Sequence, residues 1–159
     1  MSVVDAQDYR RVIQFFESIL YAGIFYGLMR RETLLRLSIL SVIGGDWLLL
    51  SKLACAGKMV TIESAALHRS LDGVSSSFRE LAAQLGAGSL SWRLPHAMIA
   101  LHLSRQIFAR EHPYQHWSWA TRCRISLSVL VIMVRRFEYP RIKSLLCACV
   151  RRISPQKTA

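Results

Sequence analysis

The sequence has few of the residue groups from which catalytic or metal sites are built. Its four cysteines, Cys55, Cys123, Cys147 and Cys149, form no Cys-x-x-Cys pair. That excludes the usual spacing of a structural zinc site, and four cysteines are few for a disulfide scaffold. The ten acidic residues are scattered singly, and no glycine-rich phosphate loop or Ser-His-Asp set is visible. We therefore expect no enzyme activity, no cofactor and no metal, and a reduced, cytoplasmic location.

One histidine pair needs separate mention as a candidate metal site. His112 and His116 stand four residues apart near Cys123, a spacing that suits a metal if the segment is helical. Pro113 lies between them and argues against a helix, and the surrounding aromatic residues are more typical of a covered core. We therefore expect no metal at this pair.

Long uninterrupted apolar runs are also missing. The three most apolar segments are Phe15 to Met29, Leu34 to Leu50 and Ile125 to Val134. The first contains a glutamate, the second is broken by two glycines and an aspartate, and the third is flanked by arginines. Each falls short of the ~20 apolar residues that cross a bilayer, so we expect no membrane span. Asp5 and Asp8 occupy the place where a secretory signal has basic residues, so we expect no signal peptide.

What the chain does have is apolar content and positive charge. Apolar residues make up 52% of its 159 positions, so a single domain, residues 1–159, with a packed core is expected. Twenty-one Lys and Arg face ten Asp and Glu, which gives a formal charge of +11. This balance favours a polyanionic partner, either nucleic acid or an anionic membrane surface.

The spacing of apolar residues predicts a mainly α-helical chain with a small β-hairpin (α+β). Helices are expected from about 5 to 29, 32 to 42, 46 to 57, 61 to 69, 74 to 85, 104 to 110, 120 to 137 and 140 to 153. The segments Ser89 to Arg93 and Met98 to Leu103 are predicted to be short strands joined by a turn at Leu94 to Ala97. The first helix and the helix from 120 to 137 are apolar over much of their surface, so either a second subunit or the chain's own core must cover them.

This order of elements predicts a winged helix-turn-helix over residues 46–104, in which one helix enters a DNA major groove. The candidate recognition helix begins near Val74. Exposed hydroxyls and amides at a helix start suit phosphate oxygens, and an arginine one turn later suits a guanine edge. The candidate DNA-binding residues are Ser75, Ser76, Ser77 and Arg79 on that helix, Arg69 before it, and Arg93 and His96 in the wing.

Within this region the residues resemble the MarR-type winged-helix transcription regulators, especially their compact alphaproteobacterial version. The resemblance rests on four segments. They are Asp46 to Leu50, Val60 to Ile62, Ser75 to Arg79 and Met98 to Ser104.

The resemblance implies a sequence-specific regulator that binds double-stranded DNA as a homodimer, with residues 5–42 and 105–153 as the dimerisation region. It also implies a small-molecule effector. The alternative is a winged-helix module that contacts a protein or a membrane surface without specific DNA reading.

Overall fold

A computed structural model describes residues 2–19, 25–62 and 77–144 of the protein, and these ranges are built from helices. The helices are α1 (Asp8–Ser18), α2 (Arg31–Leu35), α3 (Gly45–Ala56), α4 (Phe78–Gln84), α5 (Ser89–Arg93), α6 (Pro95–Phe108) and α7 (Trp119–Met133). A 3₁₀ turn at Tyr114–His116 precedes α7, and a π-helical turn at Val134–Glu138 follows it. Extended pairing within the described ranges is limited to one bridge between Val3 and Met59.

Four helices, α1, α3, α6 and α7, enclose one hydrophobic core. Helix α3 is buried from Trp47 to Ser51 on all sides, as expected for a central helix without a polar face. The apolar side of α1 packs inside this core, so the chain itself covers it. The first helix was predicted to reach about residue 29, but α1 ends at Ser18 and Ile19 is extended. The other three helices contribute Val12, Phe15 and Phe16 from α1, Ile99, Leu103 and Ile107 from α6, and Ile125, Val129 and Met133 from α7.

The predicted β-hairpin wing is wrong, because no sheet is present in the described ranges and both expected strands are helical. Ser89–Arg93 forms α5, and the segment from Met98 to Leu103 lies inside α6. Pro95, interpreted as a turn residue, is the first residue of α6, a position where its missing N–H removes no helical hydrogen bond. The helix predicted from Ser104 is the second half of α6.

Helix α3 confirms the helix predicted from 46 to 57. It begins after Gly44, whose φ of 73° lies in the left-handed region that glycine adopts without strain. A Cβ at Gly44 would also collide with the side chain of Ile99 on α6. This glycine therefore serves both the start of α3 and the close approach of α6.

The helix predicted from 32 to 42 is shorter than expected, since α2 ends at Leu35. Ser38, beyond that end, binds the ammonium group of Lys52, which is fully buried. The Lys52 Nζ atom donates to the Ser38 carbonyl at 3.1 Å and hydroxyl at 2.7 Å, and it pairs with Glu111 at 3.2 Å. These contacts join the segment after α2 to α3, and a local sequence pattern does not show them.

A buried arginine closes the other end of α3. The Arg11 guanidinium donates from Nε to the Ala54 carbonyl and from Nη2 to the Cys55 carbonyl, both at 2.7 Å. Its Nη1 donates to the carbonyls of Asp5 at 2.9 Å and Ala6 at 3.1 Å. The last turn of a helix leaves carbonyls without helical partners, and a cation there also favours the helix dipole.

Several predicted elements lie outside the described residues. These are most of the helix after Thr61, the expected start of the recognition helix at Val74 to Ser76, and the part of the last helix beyond Ser144. Before that point, residues 139–144 are helical as predicted. Within the described ranges, the structure contains no helix with the length and apolar character needed to span a membrane.

Candidate nucleic-acid interface

The described part of the predicted recognition helix begins with the cap of α4. Ser77 is the residue before the helix, and its Oγ accepts a hydrogen bond from the backbone N–H of Glu80 at 3.1 Å. A serine followed three residues later by glutamate is a typical helix start. Ser77 therefore has a capping role, and Ser75, Ser76 and Arg69 fall outside the described residues.

The end of α4 turns the chain back so that α5 packs against it. Gly86 has a φ of 61°, and its N–H bonds to the Ala83 carbonyl at 3.2 Å. The next N–H, of Ala87, bonds to the Ala82 carbonyl at 2.8 Å. These two bonds define a Schellman motif, which ends a helix on a left-handed residue. The reversal places the exposed side of α4 beside Trp92 on α5.

Three arginines lie around Trp92. The Arg79 Cζ lies 5.9 Å from the ring centroid and the Arg93 Cζ 5.3 Å from it, both within the range of cation–π attraction. Arg141, beyond the π-helical turn, donates to the carbonyls of Arg93 at 3.2 Å and Trp92 at 3.4 Å. We call Arg79, Trp92, Arg93 and Arg141 the Trp92 cluster. Arg79 and Arg93 are exposed.

A buried carboxylate lies near Arg141. Glu138 is 1% exposed, and its Oε1 accepts from the backbone N–H groups of His96 at 2.8 Å and Ala97 at 3.3 Å. A negative charge at the first turn of α6 is favourable there. Its second oxygen lies 4.0 Å from Arg141 Nη1. Glu138 is directed inward, whereas Glu80, which follows Arg79 on α4, is exposed.

The structure does not place His96 at an exposed tip. Its side chain is 13% exposed, and its ring stacks on Phe137 with centroids 4.4 Å apart. Edge contacts with Trp47 and Phe78 complete its surroundings. Burial lowers the pKa of His96, although the Glu138 carboxylate acts in the opposite direction. Because the predicted wing is helical in the described ranges, His96 does not occupy an exposed wing tip, and the position from which it was predicted to contact DNA was wrong.

Two members of the Trp92 cluster were not predicted from the sequence. Trp92 was assigned to a strand, and the only local sign of its role is its position next to Arg93. Arg141 binds Arg93 across 48 residues of sequence, so no local pattern joins them.

A second group of polar side chains surrounds Asp8. The Asp8 Oδ2 atom lies 2.5 Å from His116 Nε2, 2.9 Å from Trp117 Nε1 and 3.9 Å from Cys55 Sγ. Burial and the nearby Asp8 charge raise the pKa of the Cys55 thiol to about 12, so Cys55 is a thiol and not a nucleophilic thiolate at neutral pH. Within the described ranges, no three His, Cys, Asp or Glu side chains are grouped to hold a metal ion.

An open cleft of about 400 Å³ borders this group, with Arg36, Cys55, His112 and His116 among its lining residues. It has the size of a small-ligand site. The effector implied by the sequence resemblance stays a prediction.

Comparison with known proteins gives no relative: no family model, curated protein or solved structure matches the chain. The resemblance to MarR-type regulators therefore rests on the residues of the 46–104 region alone.

Proposed function

We propose that the protein binds double-stranded DNA as a cytoplasmic transcription regulator and that the Trp92 cluster is part of its contact surface. The observation that supports this most is that the guanidinium groups of Arg79 and Arg93 lie over the same indole ring. Arg79 was predicted as a DNA contact on the recognition helix, whereas the prediction for Arg93 came from the wing, which the structure replaces with α5.

The cluster has the chemistry that a phosphate backbone requires. Arginine keeps its charge at all physiological pH values and presents forked donors that fit phosphate oxygens. The indole ring restricts Arg79 and Arg93 before any ligand arrives, so less side-chain freedom is lost on binding. Glu138, the nearby acid, is buried, and Glu80 is the exposed carboxylate that opposes binding.

Contacts of this kind position a protein on DNA, whereas base reading needs side chains in a groove. Sequence-specific reading is assigned in this proposal to α4 and the serines that precede it. The hairpin wing has no part in it. The homodimer stays a prediction, because one chain has been described.

The test measures binding of the full chain to a labelled duplex by fluorescence anisotropy across about 50 to 200 mM salt. The double variant Arg79→Gln/Arg93→Gln removes two exposed cluster charges. Arg105→Gln/Arg135→Gln removes two exposed charges from α6 and the π-helical turn and is the matched control. Loss of two phosphate contacts reduces the steepness of log K against log salt by about 2. The control variant is expected to reduce it by less than about 1.

Equal loss of affinity in both double variants would contradict the proposal, since it would mean that net charge alone attracts DNA. Glu80→Gln gives a second readout. Removing this carboxylate is expected to strengthen binding, and weaker binding would mean that Glu80 itself contacts the DNA.

A further inference from the structure

Helices α6 and α7 present an outward apolar surface that the core does not use. It consists of Leu101 and Phe108 on α6, Trp119, Leu127 and Val131 on α7, and Val134 at the start of the π-helical turn, and we call it the α6–α7 face. Their side chains are between 37% and 71% exposed. The Phe108 and Trp119 rings, 5.0 Å apart, join the two helices into one surface.

Helix α7 is apolar on two sides. Ile125, Val129 and Met133 are fully buried in the core. Leu127 and Val131, four residues apart, lie together on the other side and are 63% and 42% exposed. An isolated surface helix normally has one apolar stripe and one polar face. The second apolar side of α7 is therefore left uncovered by the described residues.

The exposed charges carried by α6, α7 and the π-helical turn have one sign. Arg105 on α6, Arg124 on α7 and Arg135 in the π-helical turn are exposed, and neither α6 nor α7 contains an acidic residue. Glu138, the acid of the turn, is buried. From residue 112 to the end, the sequence has nine Lys and Arg and one acid.

This charge pattern distinguishes between two occupants. A second copy of the chain on the same face would bring arginines toward arginines, which is repulsive unless acids intervene. An anionic lipid surface complements them, and exposed aromatic residues such as Trp119 suit the boundary between headgroups and acyl chains. We propose that the α6–α7 face docks on the surface of an anionic lipid bilayer, with α7 in the plane of the interface.

Cosedimentation of the full chain with vesicles tests this. One set is phosphatidylcholine alone and the other contains about 30% phosphatidylserine. Binding is expected to the anionic vesicles and to weaken at high salt. Because a chain of charge +11 is attracted to any anionic surface, the variants decide which surface docks.

The apolar variant is Leu127→Gln/Val131→Gln, and its control is Leu35→Gln/Ile39→Gln, two apolar residues that are at least as exposed and lie outside the α6–α7 face. The first is expected to weaken partitioning at least about tenfold, and the control is expected to leave it unchanged. A basic side chain at an anionic surface contributes roughly fivefold, so Arg105→Gln/Arg135→Gln is expected to weaken partitioning about twenty-five-fold. Arg79→Gln/Arg93→Gln is expected to have a smaller effect.

Three results would overturn the docking proposal: no binding to anionic vesicles, equal loss in each variant and its control, or a homodimer in sedimentation that Leu127→Gln/Val131→Gln converts to monomer. The last would mean that a second copy covers the face. The DNA proposal is judged separately, since its decisive variant, Arg79→Gln/Arg93→Gln, is a control in this experiment.

Discussion

Replacing Arg11 by methionine provides a direct test of what holds the end of α3. The guanidinium satisfies four backbone carbonyls, and the two bonds to Ala54 and Cys55 lie in buried surroundings. Water can replace the partly exposed bonds to Asp5 and Ala6, but it has no access to the buried pair. The substitution therefore leaves two buried acceptors without a donor.

The magnitude follows from these two carbonyls. A buried acceptor without a partner costs about 1–3 kcal/mol, and loss of the cation at the helix end adds about 0.3–1 kcal/mol. We expect Arg11→Met to lower the free energy of unfolding by about 3–5 kcal/mol, a large part of the 5–15 kcal/mol of a typical domain. Methionine keeps the apolar stem, so a cavity does not dominate the result.

Urea unfolding followed by circular dichroism measures the effect. With a slope of about 2 kcal/mol per molar urea, the midpoint is expected to fall by about 2 M. Arg10→Met, the exposed neighbour on α1, is the control and is expected to change the midpoint little. An Arg11→Met midpoint within about 0.5 M of the wild type would refute the view that this guanidinium supports α3.

Three further predictions concern pH, thiol chemistry and backbone strain. Burial raises the pKa of Asp8, but hydrogen bonds from Trp117 and His116 lower it more, and the net pKa is depressed. This carboxylate therefore adds stability above about pH 4 that is lost as pH falls through the folded pKa. In the Asp8→Asn variant, the urea midpoint should fall less between neutral and acid pH than in the wild type. An unchanged dependence of the midpoint on pH would exclude this role of Asp8. Because burial raises the pKa of Cys55 to about 12, iodoacetamide at about pH 8 should label exposed Cys123 and spare Cys55 until denaturant is added. Peptide mapping tests this, and equal labelling of both would contradict it. Gly44→Ala should destabilise by about 1–3 kcal/mol, because of its positive φ and because the new Cβ would collide with Ile99. Gly88→Ala, with open space around it, should not, and similar thermal midpoints for both variants would contradict this expectation.

Much of the core could be predicted from local signals. The paired glycines, Gly44 and Gly45, followed by Asp46 and an unbroken apolar run, correctly placed α3. The spacing of Val12, Phe15 and Phe16 correctly placed a helix at α1, although the predicted end near residue 29 was wrong. These features lie within a few residues of each other, which is the range over which helix periodicity and stop signals act.

The hairpin prediction failed because the signal that starts α6 is remote. Leu94 precedes the helix without a side-chain cap, and the carboxylate that binds its first N–H groups belongs to Glu138, 42 residues away. Without that cap, Leu94 and Pro95 resemble a turn, and the six apolar-rich residues that follow resemble a strand. Likewise, the contact between Lys52 and Ser38 joins residues 14 apart in sequence, so no local pattern shows it.

The candidate site likewise combines features that the local sequence shows with contacts that only the fold creates. Charge and position predicted Arg79 and Arg93 as contacts for a polyanion. These contacts stay a prediction, and the wing position expected for Arg93 was wrong. Their meeting on Trp92 depends on the left-handed Gly86 and on the packing of α5 against α4. Arg141 joins them only through the tertiary fold, so no reading of the 46–104 region could have included it.

The capping of α6 by Glu138 bears on how the protein is divided into parts. Residues 46–104 were predicted to form a DNA-reading unit. However, Glu138 caps the first turn of α6, and the third arginine of the Trp92 cluster is Arg141. A fragment cut at residue 104, or grafted onto another chain, would keep Arg79 and Arg93 but lose these supports. The structural unit that carries this site therefore extends at least to Arg141. A deletion after α7 would remove supports of the proposed DNA surface although it leaves Arg79 and Arg93 in the chain.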